Sequence, residues 1–291
     1  MTARTLAAIF LVVLIGLLSA SATGASPTAP ILLAAGDIAD CSFDGAQLTA
    51  GLIERRPGTV AALGDTAYPT GSVSDFANCY QRTWGRFKNR TRPAVGNHEY
   101  LTAGARPYFA YFGRKAAPPG GYYSYRLGGW HVVVLNSNCS QIGGCGPGSK
   151  QLRWLRGDLA RHPARCTLAY WHHPRFSSGP HGPDVEMQPI WAALAKAGTD
   201  VVLSGHDHMY ERFAPLDASG RVDPARGIRE FVVGTGGGSL YPAVRIVPAS
   251  RKIVEHWGIL RLKLGSNRYY WRFLSTNPTG RVLDSGSGAC H

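Results

Sequence analysis

Five short polar clusters in this 291-residue chain contain side chains of the kinds that bind metal ions. Together they supply two aspartates, one asparagine and three histidines, which in chain order are Asp37, Asp65, Asn97, His172, His206 and His208. Their donor atoms are oxygens and imidazole nitrogens without a thiolate, a set that suits a pair of borderline metals such as iron, zinc or manganese. Each cluster alone is a weak signal, since an aspartate after a strand often caps a helix or forms a turn. Their conjunction predicts a metal centre.

These clusters come at the ends of short apolar runs, which predict the elements that position them. Strands are predicted at residues 31–35, 60–63, 130–135, 167–171, 201–203, 230–233, 258–264 and 269–274, and helices at 46–56, 150–161 and 186–197. An α/β beginning followed by a β-rich end predicts layered sheets with helices outside. Loops at the carboxyl ends of strands build the site in open α/β sheets, so we expect the clusters to converge. Because no internal repeat or long linker interrupts the pattern, we predict one catalytic domain over residues 27–291.

The first 25 residues predict a secretory signal peptide. One charge, at Arg4, precedes an uncharged apolar run over residues 6–18, and the small residues 19–22 follow. The run is shorter than the roughly 20 residues that a membrane span needs. We therefore expect cleavage near Ala22 or Ala25 and a secreted protein, extracellular or periplasmic, without a stable membrane span. The alternative is an uncleaved segment that anchors the protein to a membrane, because the flanking small residues would lengthen the run.

The six cysteines predict disulfide bonds in an exported protein. An even number with no C-x-x-C pair favours disulfides over zinc binding. Six cysteines allow fifteen pairings, and the sequence does not choose among them. Cys139 and Cys145 flank a glycine-rich segment, so we expect a small disulfide loop there. Our expectation for the other four is Cys41 with Cys79 and Cys166 with Cys290.

The charge balance indicates an anionic partner. The chain has 31 Lys and Arg against 18 Asp and Glu, which gives a formal net charge of +13. Nucleic acid, a membrane surface or a phosphorylated small molecule would each fit this charge. The sequence contains no nucleic-acid-binding motif, and its basic residues are spread along the chain rather than clustered as in a binding arm. The charge by itself does not favour a small-molecule phosphate ester over the other two partners, and the oligomeric state stays open.

In order along the chain, the five clusters resemble the motifs of the calcineurin-like metallophosphoesterases. The motifs are Gly-Asp at 36–37, Gly-Asp-x-x-Tyr at 64–68, Gly-Asn-His-Glu at 96–99, His-x-Pro at 172–174 and Gly-His-x-His at 205–208. Tyr68 makes the second motif similar to that of the purple acid phosphatase branch, and the first motif likewise lacks the histidine found in other branches. Few residues separate the leader from Asp37, so we expect the single-domain, secreted bacterial type rather than the larger plant type with an additional N-terminal domain.

This resemblance implies a fold and a binuclear centre. The fold is an α/β layered architecture in which two mixed sheets form a β-sandwich flanked by helices. The resemblance assigns iron(III) to Asp37, Tyr68 and His208, and a divalent iron, zinc or manganese ion to Asn97, His172 and His206, with Asp65 as the bridge. The chemistry agrees, because hard anionic oxygens suit a trivalent ion, whereas imidazoles and an amide suit a divalent one.

The implied activity is hydrolysis of phosphomonoesters by attack of a metal-bridging hydroxide on phosphorus. Asn97 and His98 are expected to contact the substrate, and His98 and His181 to assist the departing alkoxide as acids. Glu99 could orient His98 or simply hold its loop. Arg175 follows the His-x-Pro motif and could bind a phosphate at the pocket rim, with a solvated surface position as the alternative. The neighbouring His173 is expected to be packed or solvated rather than a ligand.

Two other functions stay open at this stage. The first is phosphodiesterase or nuclease activity on the same metal site, which the basic charge favours. The second is a catalytically silent phosphate-binding module that has kept the fold. All seven ligand positions carry suitable residues, which counts against the silent module.

Overall fold

The computed structural model describes residues 1–2 and 29–291. The predicted signal peptide falls almost entirely outside the described residues, as does the predicted start of the domain at residue 27, so both stay predictions. Within the described ranges, no helix is both long enough and apolar enough to cross a membrane.

Strands make up most of the regular structure. They are β1 (Ile31–Ala35), β2 (Thr59–Leu63), β3 (Thr91–Ala94), β4 (Tyr123–Leu127), β5 (Trp130–Val134), β6 (Cys166–Tyr170), β7 (Val201–Ser204), β8 (Tyr210–Leu216), β9 (Ile228–Val233), β10 (Ser250–Val254), β11 (Gly258–Leu264), β12 (Arg268–Thr276) and β13 (Thr279–Ala289).

The α-helices are α1 (Gly45–Glu54), α2 (Val73–Asp75), α3 (Arg106–Phe112), α4 (Lys150–Arg161) and α5 (Gln188–Lys196). A π-helical turn, Phe76–Tyr80, continues α2, and short 3-10 helices occur at Trp84–Arg90, Glu99–Leu101, Ala103–Ala105, Gly113–Ala116, Cys139–Gln141 and Val185–Met187. The Ser149 hydroxyl begins α4 by accepting a hydrogen bond from the Leu152 amide at 3.2 Å. Pro189 lies in the first turn of α5, where its missing N–H is harmless.

The strands form two mixed sheets, which confirms the predicted layered architecture. One has the order β13-β12-β11-β1-β2-β3 and the other the order β10-β8-β9-β7-β6-β5-β4. Strands β1, β2 and β3 are parallel neighbours, as are β5, β6, β7 and β9. Each outer strand pairs antiparallel with the strand next to it. The buried side chains of both sheets share one hydrophobic core, which includes Leu32 and Val60 from the first sheet and Leu168 and Phe231 from the second.

Side-chain alternation along β5 shows how the layers are joined. Val132 and Val134 point into the core between the sheets, whereas Val133 packs in a second cluster with residues of α4 and α5. On the opposite side of the molecule α1 packs on β11 and β12. The helices therefore cover the outer faces, and the sheet ends remain available to carry a site.

Three disulfides close the fold, in the expected pairing. Cys41–Cys79, Cys139–Cys145 and Cys166–Cys290 have Cα–Cα distances of 5.4, 5.2 and 5.4 Å. The last of them joins β6, in one sheet, to the residue that follows β13 in the other. The covalent links therefore include one between the two layers.

The predicted elements are all present, with shifts of one or two residues at several ends. The eight predicted strands correspond to β1, β2, β5, β6, β7, β9, β11 and β12, and the three predicted helices to α1, α4 and α5. The predicted helix at 186–197 begins two residues later because a 3-10 turn precedes it. Strands β3, β4, β8, β10 and β13 were not predicted.

Candidate metal centre

The ends of parallel strands place the polar clusters at one edge of the molecule. Asp37, Asp65 and Asn97 follow β1, β2 and β3 in the first sheet, and His172 and His206 follow β6 and β7 in the second. Because these strands run parallel within each sheet, their carboxyl ends lie side by side. The structure brings the predicted ligand side chains together where the two sets of loops meet.

Tyr68 is at the centre of a first group of donor atoms. Its hydroxyl oxygen lies 3.0 Å from Asp37 Oδ1, 3.2 Å from Asp65 Oδ2 and 3.1 Å from His208 Nε2. The last of these nitrogens is also 3.3 Å from Asp37 Oδ1. Asp37 is fully buried and Asp65 is 1% exposed. Two carboxylates, a phenol and an imidazole therefore share one small, water-poor space.

A second group adjoins the first through Asp65. His172 Nε2 lies 2.9 Å from Asn97 Oδ1 and 3.2 Å from Asp65 Oδ2. The ring of His206 follows, with its centroid 5.0 Å from that of His172. The same Asp65 oxygen therefore contacts Tyr68 on one side and His172 on the other, which is the position that a bridging ligand needs.

Backbone carbonyls orient two of the imidazoles toward the centre. His172 Nδ1 donates to the carbonyl of Leu63 at 2.9 Å, and His208 Nδ1 donates to the carbonyl of Ser239 at 2.5 Å. With Nδ1 bonded to a carbonyl, Nε2 points at the other donors, as in metal-binding histidines. Burial opposes protonation of His172, but the charge of Asp65 prevails and raises the pKa of His172 to about 10. The buried carboxylates therefore attract positive charge to the group.

The backbone of the centre adopts conformations that side chains rarely accept. Asp37, Asp65 and His206 have φ values of 58°, 46° and 70°. Non-glycine residues in this left-handed region cost on the order of 1 kcal/mol each, and such residues concentrate at functional sites. The surrounding loops therefore hold these side chains in place against local strain.

Two motif glycines are required by close packing against the ligand side chains. A Cβ at Gly64 would lie 2.6 Å from His172 Nδ1, and a Cβ at Gly96 would overlap the Asp65 carboxylate. Any larger residue would displace a side chain of the centre.

Glu99 connects two of the ligand-bearing loops from beneath. Its fully buried carboxylate accepts hydrogen bonds from the amides of Asp65 at 3.1 Å, Thr66 at 2.7 Å and Gly96 at 2.7 Å, and from the Thr66 hydroxyl at 2.8 Å. Burial, followed by the charge of Asp65, raises the pKa of Glu99 to about 7, while the hydrogen bonds lower it. These contacts support the role of Glu99 in holding its loop rather than in orienting His98.

His98 and His181 lie at the more exposed rim of the centre. The His98 amide donates to Asp65 Oδ1 at 2.9 Å, and its Nδ1 lies 2.6 Å from the carbonyl of Pro69. Its Nε2 is 3.8 Å from Asp65 Oδ2, and 31% of the side chain is exposed. The ring of His181 lies 4.3 Å from that of His206, centroid to centroid. Both imidazoles are therefore beside the donor groups and open to solvent.

Arg175 is directed elsewhere. Its Nε donates to Gln188 Oε1 at 2.7 Å, and its guanidinium lies 4.4 Å from the centre of the Phe176 ring. These contacts hold the side chain beside α5 and give no support to the predicted phosphate-binding role.

Two further aromatic residues adjoin the centre. His173, expected to be packed or solvated rather than a ligand, has its ring centroid 4.4 Å from that of His206 and its Nδ1 2.7 Å from Ser137 Oγ. Tyr241 stacks on His208 at 4.6 Å and donates its hydroxyl to the carbonyl of His206 at 2.9 Å. Sequence reasoning missed Tyr241, which belongs to none of the motifs.

Known proteins share both the sequence pattern and the fold. The family model for calcineurin-like phosphoesterases matches residues 24–210, which include all seven predicted ligands. Purple acid phosphatase 15 of Arabidopsis thaliana is 31% identical over 224 residues, which cover 64% of this chain and 41% of that protein. Probable purple acid phosphatase 20 of the same plant is 30% identical over 166 residues, which cover 48% and 38%. The chain thus spans about two-fifths of the length of these relatives.

Solved structures share the fold at low sequence identity. The purple acid phosphatase PPD1 from yellow lupin (Lupinus luteus) seeds has a TM-score of 0.74 at 18% identity and covers 90% of this chain and 54% of its own. GAP50, the anchor in the inner membrane complex of Plasmodium, has a TM-score of 0.71 at 13% identity and covers 91% and 90%. With the family model matching well over half of its length, the chain belongs to the calcineurin-like phosphoesterase family.

Proposed function

We propose that the protein is a secreted phosphatase that hydrolyses phosphomonoesters at a centre of two metal ions. The observation that carries this proposal is the position of the Asp65 carboxylate, which contacts Tyr68 in one donor group and His172 in the other. One bridging carboxylate between two sets of donors is the arrangement that a two-metal phosphoesterase requires. The purple acid phosphatases among the relatives support the same activity.

The donor chemistry fits two different ions. Asp37, Tyr68 and His208 would hold iron(III), because a carboxylate and a phenolate are hard anionic oxygens. Asn97, His172 and His206 would hold divalent iron, zinc or manganese, with Asp65 between the two. When bound, such a pair of metals supplies a nucleophilic oxygen at neutral pH and stabilises charge on the phosphate. The burial of Asp37 and Asp65 supports this assignment, since buried carboxylates need a cation or donors beside them.

The chain's own residues would orient the ester and move the proton. Asn97 and His98 lie on one loop, so a phosphate that reaches the centre would meet both side chains. His98 Nδ1 is held by the carbonyl of Pro69, which leaves Nε2, 3.8 Å from Asp65 Oδ2, as the atom to give a proton to the leaving alkoxide. His181 would assist from the opposite rim, where its Nε2 lies 3.0 Å from the Tyr241 hydroxyl.

Export is supported by the covalent structure. Every cysteine of the chain is in one of the three disulfides. Disulfides form and persist in oxidising compartments, so an extracellular or periplasmic location fits them. The predicted signal peptide at residues 1–25 would provide the route, or an anchor if it stays uncleaved.

Metal analysis and a visible spectrum of the secreted protein test the centre. We expect two metal ions per chain and a purple absorption band from tyrosinate bound to iron(III). Asp65→Asn should lose metal and activity, while Asp40→Asn, on the loop after β1 and outside the two donor groups, should keep both. A colourless protein with zinc in both sites would overturn the iron assignment and leave the phosphatase intact.

Rates on a matched pair of esters separate the proposal from its two alternatives. We expect kcat/KM for p-nitrophenyl phosphate to exceed that for bis(p-nitrophenyl) phosphate. The reverse order would indicate a phosphodiesterase or nuclease on the same site. A fully metal-loaded protein that hydrolyses neither ester would indicate the silent phosphate-binding module.

A further inference from the structure

A cavity of about 410 Å³ opens beside the candidate metal centre. Asn97 and His173 form the side next to the centre, and Ser137 and Asn138 form part of its wall. This volume lies within the range of roughly 300–1,000 Å³ found for small-molecule sites. An ester whose phosphate reaches Asn97 would have this cavity available for the rest of the molecule.

The lining of the cavity combines polar and apolar side chains with one imidazole and two carboxylates. Ser140 and Gln141 lie on one side, and Asp184 and Glu186 on another, and the described lining includes neither lysine nor arginine. Burial raises the pKa of Asp184, and the charge of Glu186 raises it further, so the two carboxylates repel each other. Arg175 partly offsets the charge of Asp184, but its guanidinium bonds to Gln188 and does not line the cavity. The cavity lining is therefore negatively charged, although the chain as a whole has a net charge of +13.

The wall of the cavity is rigid. The Cys139–Cys145 disulfide closes the loop that carries Ser140 and Gln141. Beneath it the side chain of Gln151 accepts from the amide of Asn136 and donates to its carbonyl, both at 2.8 Å. Asn136 Oδ1 in turn accepts from the amide of Asn138 at 2.9 Å. A wall held in this way keeps its polar groups in place before a ligand arrives, which favours selection by charge and hydrogen bonding.

We propose that this cavity receives the leaving group of the ester and selects cationic or neutral hydroxylated leaving groups over anionic ones. The inference rests on the proposed phosphatase function and adds a substrate class to it: phosphomonoesters of amino alcohols and polyols. Serine, asparagine and glutamine side chains supply donors and acceptors for hydroxyl groups. The carboxylates attract an ammonium group and repel a second acid, so esters with carboxylate or further phosphate groups on the leaving side are disfavoured.

Three esters with the same phosphate and different leaving-group charge test the cavity. We expect kcat/KM to fall in the order phosphoethanolamine, glycerol 1-phosphate, 3-phosphoglycerate. Glu186 is the residue to change, since it is exposed and, within residues 29–291, forms no salt bridge. Glu186→Gln should lower kcat/KM for phosphoethanolamine about two- to fivefold, the effect of one partly exposed charge pair. Glu186→Lys should narrow or reverse the order when each rate is expressed relative to the same variant's rate on p-nitrophenyl phosphate.

Glu255→Lys is the matched control, because Glu255 is also exposed and lies outside the cavity. If Glu255→Lys changes the order of kcat/KM for the three esters as much as Glu186→Lys does, the preference arises from the overall charge of the protein and not from the cavity, and the inference is overturned. Equal kcat/KM for the three esters in the wild type would also overturn the inference while leaving the phosphatase function standing. A wild type that hydrolyses none of the three, nor p-nitrophenyl phosphate, would overturn both.

Discussion

Replacing Glu99 by glutamine tests whether the buried carboxylate holds the metal-binding loops in position. The Oε2 atom accepts from the amides of Asp65 and Gly96, and Oε1 accepts from the amide and hydroxyl of Thr66 and more weakly from the amide of Ala67. Glutamine keeps the shape but turns one oxygen into an NH₂ group. Even the milder orientation, with nitrogen at the Oε2 position, leaves two buried amides without an acceptor.

The magnitude follows from those two amides. A buried donor left unsatisfied costs about 1–3 kcal/mol, so Glu99→Gln should lower the free energy of unfolding by about 3 kcal/mol. For a domain of this size, 1 kcal/mol shifts Tm by about 2–4 °C, which gives a fall of about 6–12 °C. Loss of a group that supports metal ligands typically weakens metal binding by about 10–100-fold.

Thermal unfolding in EDTA and zinc titration by calorimetry, both at pH 8, separate these two effects. Glu54→Gln is the control, since Glu54 is exposed and its only described ion pair, with Arg86 at 3.5 Å, lies on the surface. That variant should shift Tm by less than about 2 °C. If Glu99→Gln keeps the wild-type Tm and zinc affinity, the Glu99 hydrogen bonds neither stabilise the fold nor position the metal-binding loops. If Tm falls and zinc affinity is unchanged, the hydrogen bonds stabilise the fold but do not position the loops.

Four further outcomes are expected. His98→Ala should lower kcat about 10²-fold or more with metal content unchanged, as measured by metal analysis and steady-state kinetics, because it removes the acid and not a ligand. Tyr68→Phe should abolish the purple band of an iron-loaded protein, with unchanged far-UV circular dichroism showing that the fold persists. Burial raises the pKa of Glu230 to about 8, above its usual 4.5, so this residue's contribution to stability is full below pH 4.5 and is lost as pH rises to 8. Urea unfolding between pH 5 and 8 should therefore show a smaller loss of stability in Glu230→Gln than in the wild type. Finally, kcat/KM for a dianionic ester should fall with added salt if the positive exterior steers substrate, and a flat dependence would exclude steering.

The convergence of most predicted ligands could be expected from the sequence because they follow strands whose pattern is local. Asn97 is the exception, since it follows the unpredicted β3 and was found from its motif alone. The apolar runs of β1, β2, β6 and β7 and the helical periodicity of α4 need no tertiary information. The motifs at the ends of these strands identified the candidate ligands. The meeting of these motifs at one edge of the molecule followed from the rule that loops at the carboxyl ends of parallel strands lie together.

The missed strands depend on tertiary context. β3 has only four residues and contains Pro93, and β13 is rich in glycine and serine, so neither shows an apolar or alternating pattern. Each becomes a strand because a neighbour pairs with it: β2 pairs with β3, and β12 pairs with β13. Tyr241 was hidden for a similar reason, since it reaches His208 through a loop without regular structure. The position of Arg175 was set by Gln188 on another element, which the adjacent His-x-Pro motif could not reveal.

The distribution of charge between interior and surface explains how a basic protein can carry an acidic site. Eight of its 18 acidic side chains are buried, among them Asp37, Asp65, Asp207 and Glu99, whereas no lysine or arginine within residues 29–291 is. Four of the buried acids, Asp37, Asp65, Glu99 and Asp207, lie on the loops that follow parallel strands, where cations are needed. Burial of acids also leaves the surface more positive than the formal charge of +13 suggests. A phosphate ester would therefore be attracted by the exterior as a whole and would then meet the negative lining of the cavity beside the centre. The positive exterior attracts the phosphate group, which all substrates share, and so raises the rate of encounter. The negative cavity acts on the leaving group, in which substrates differ, and so determines which ester is preferred.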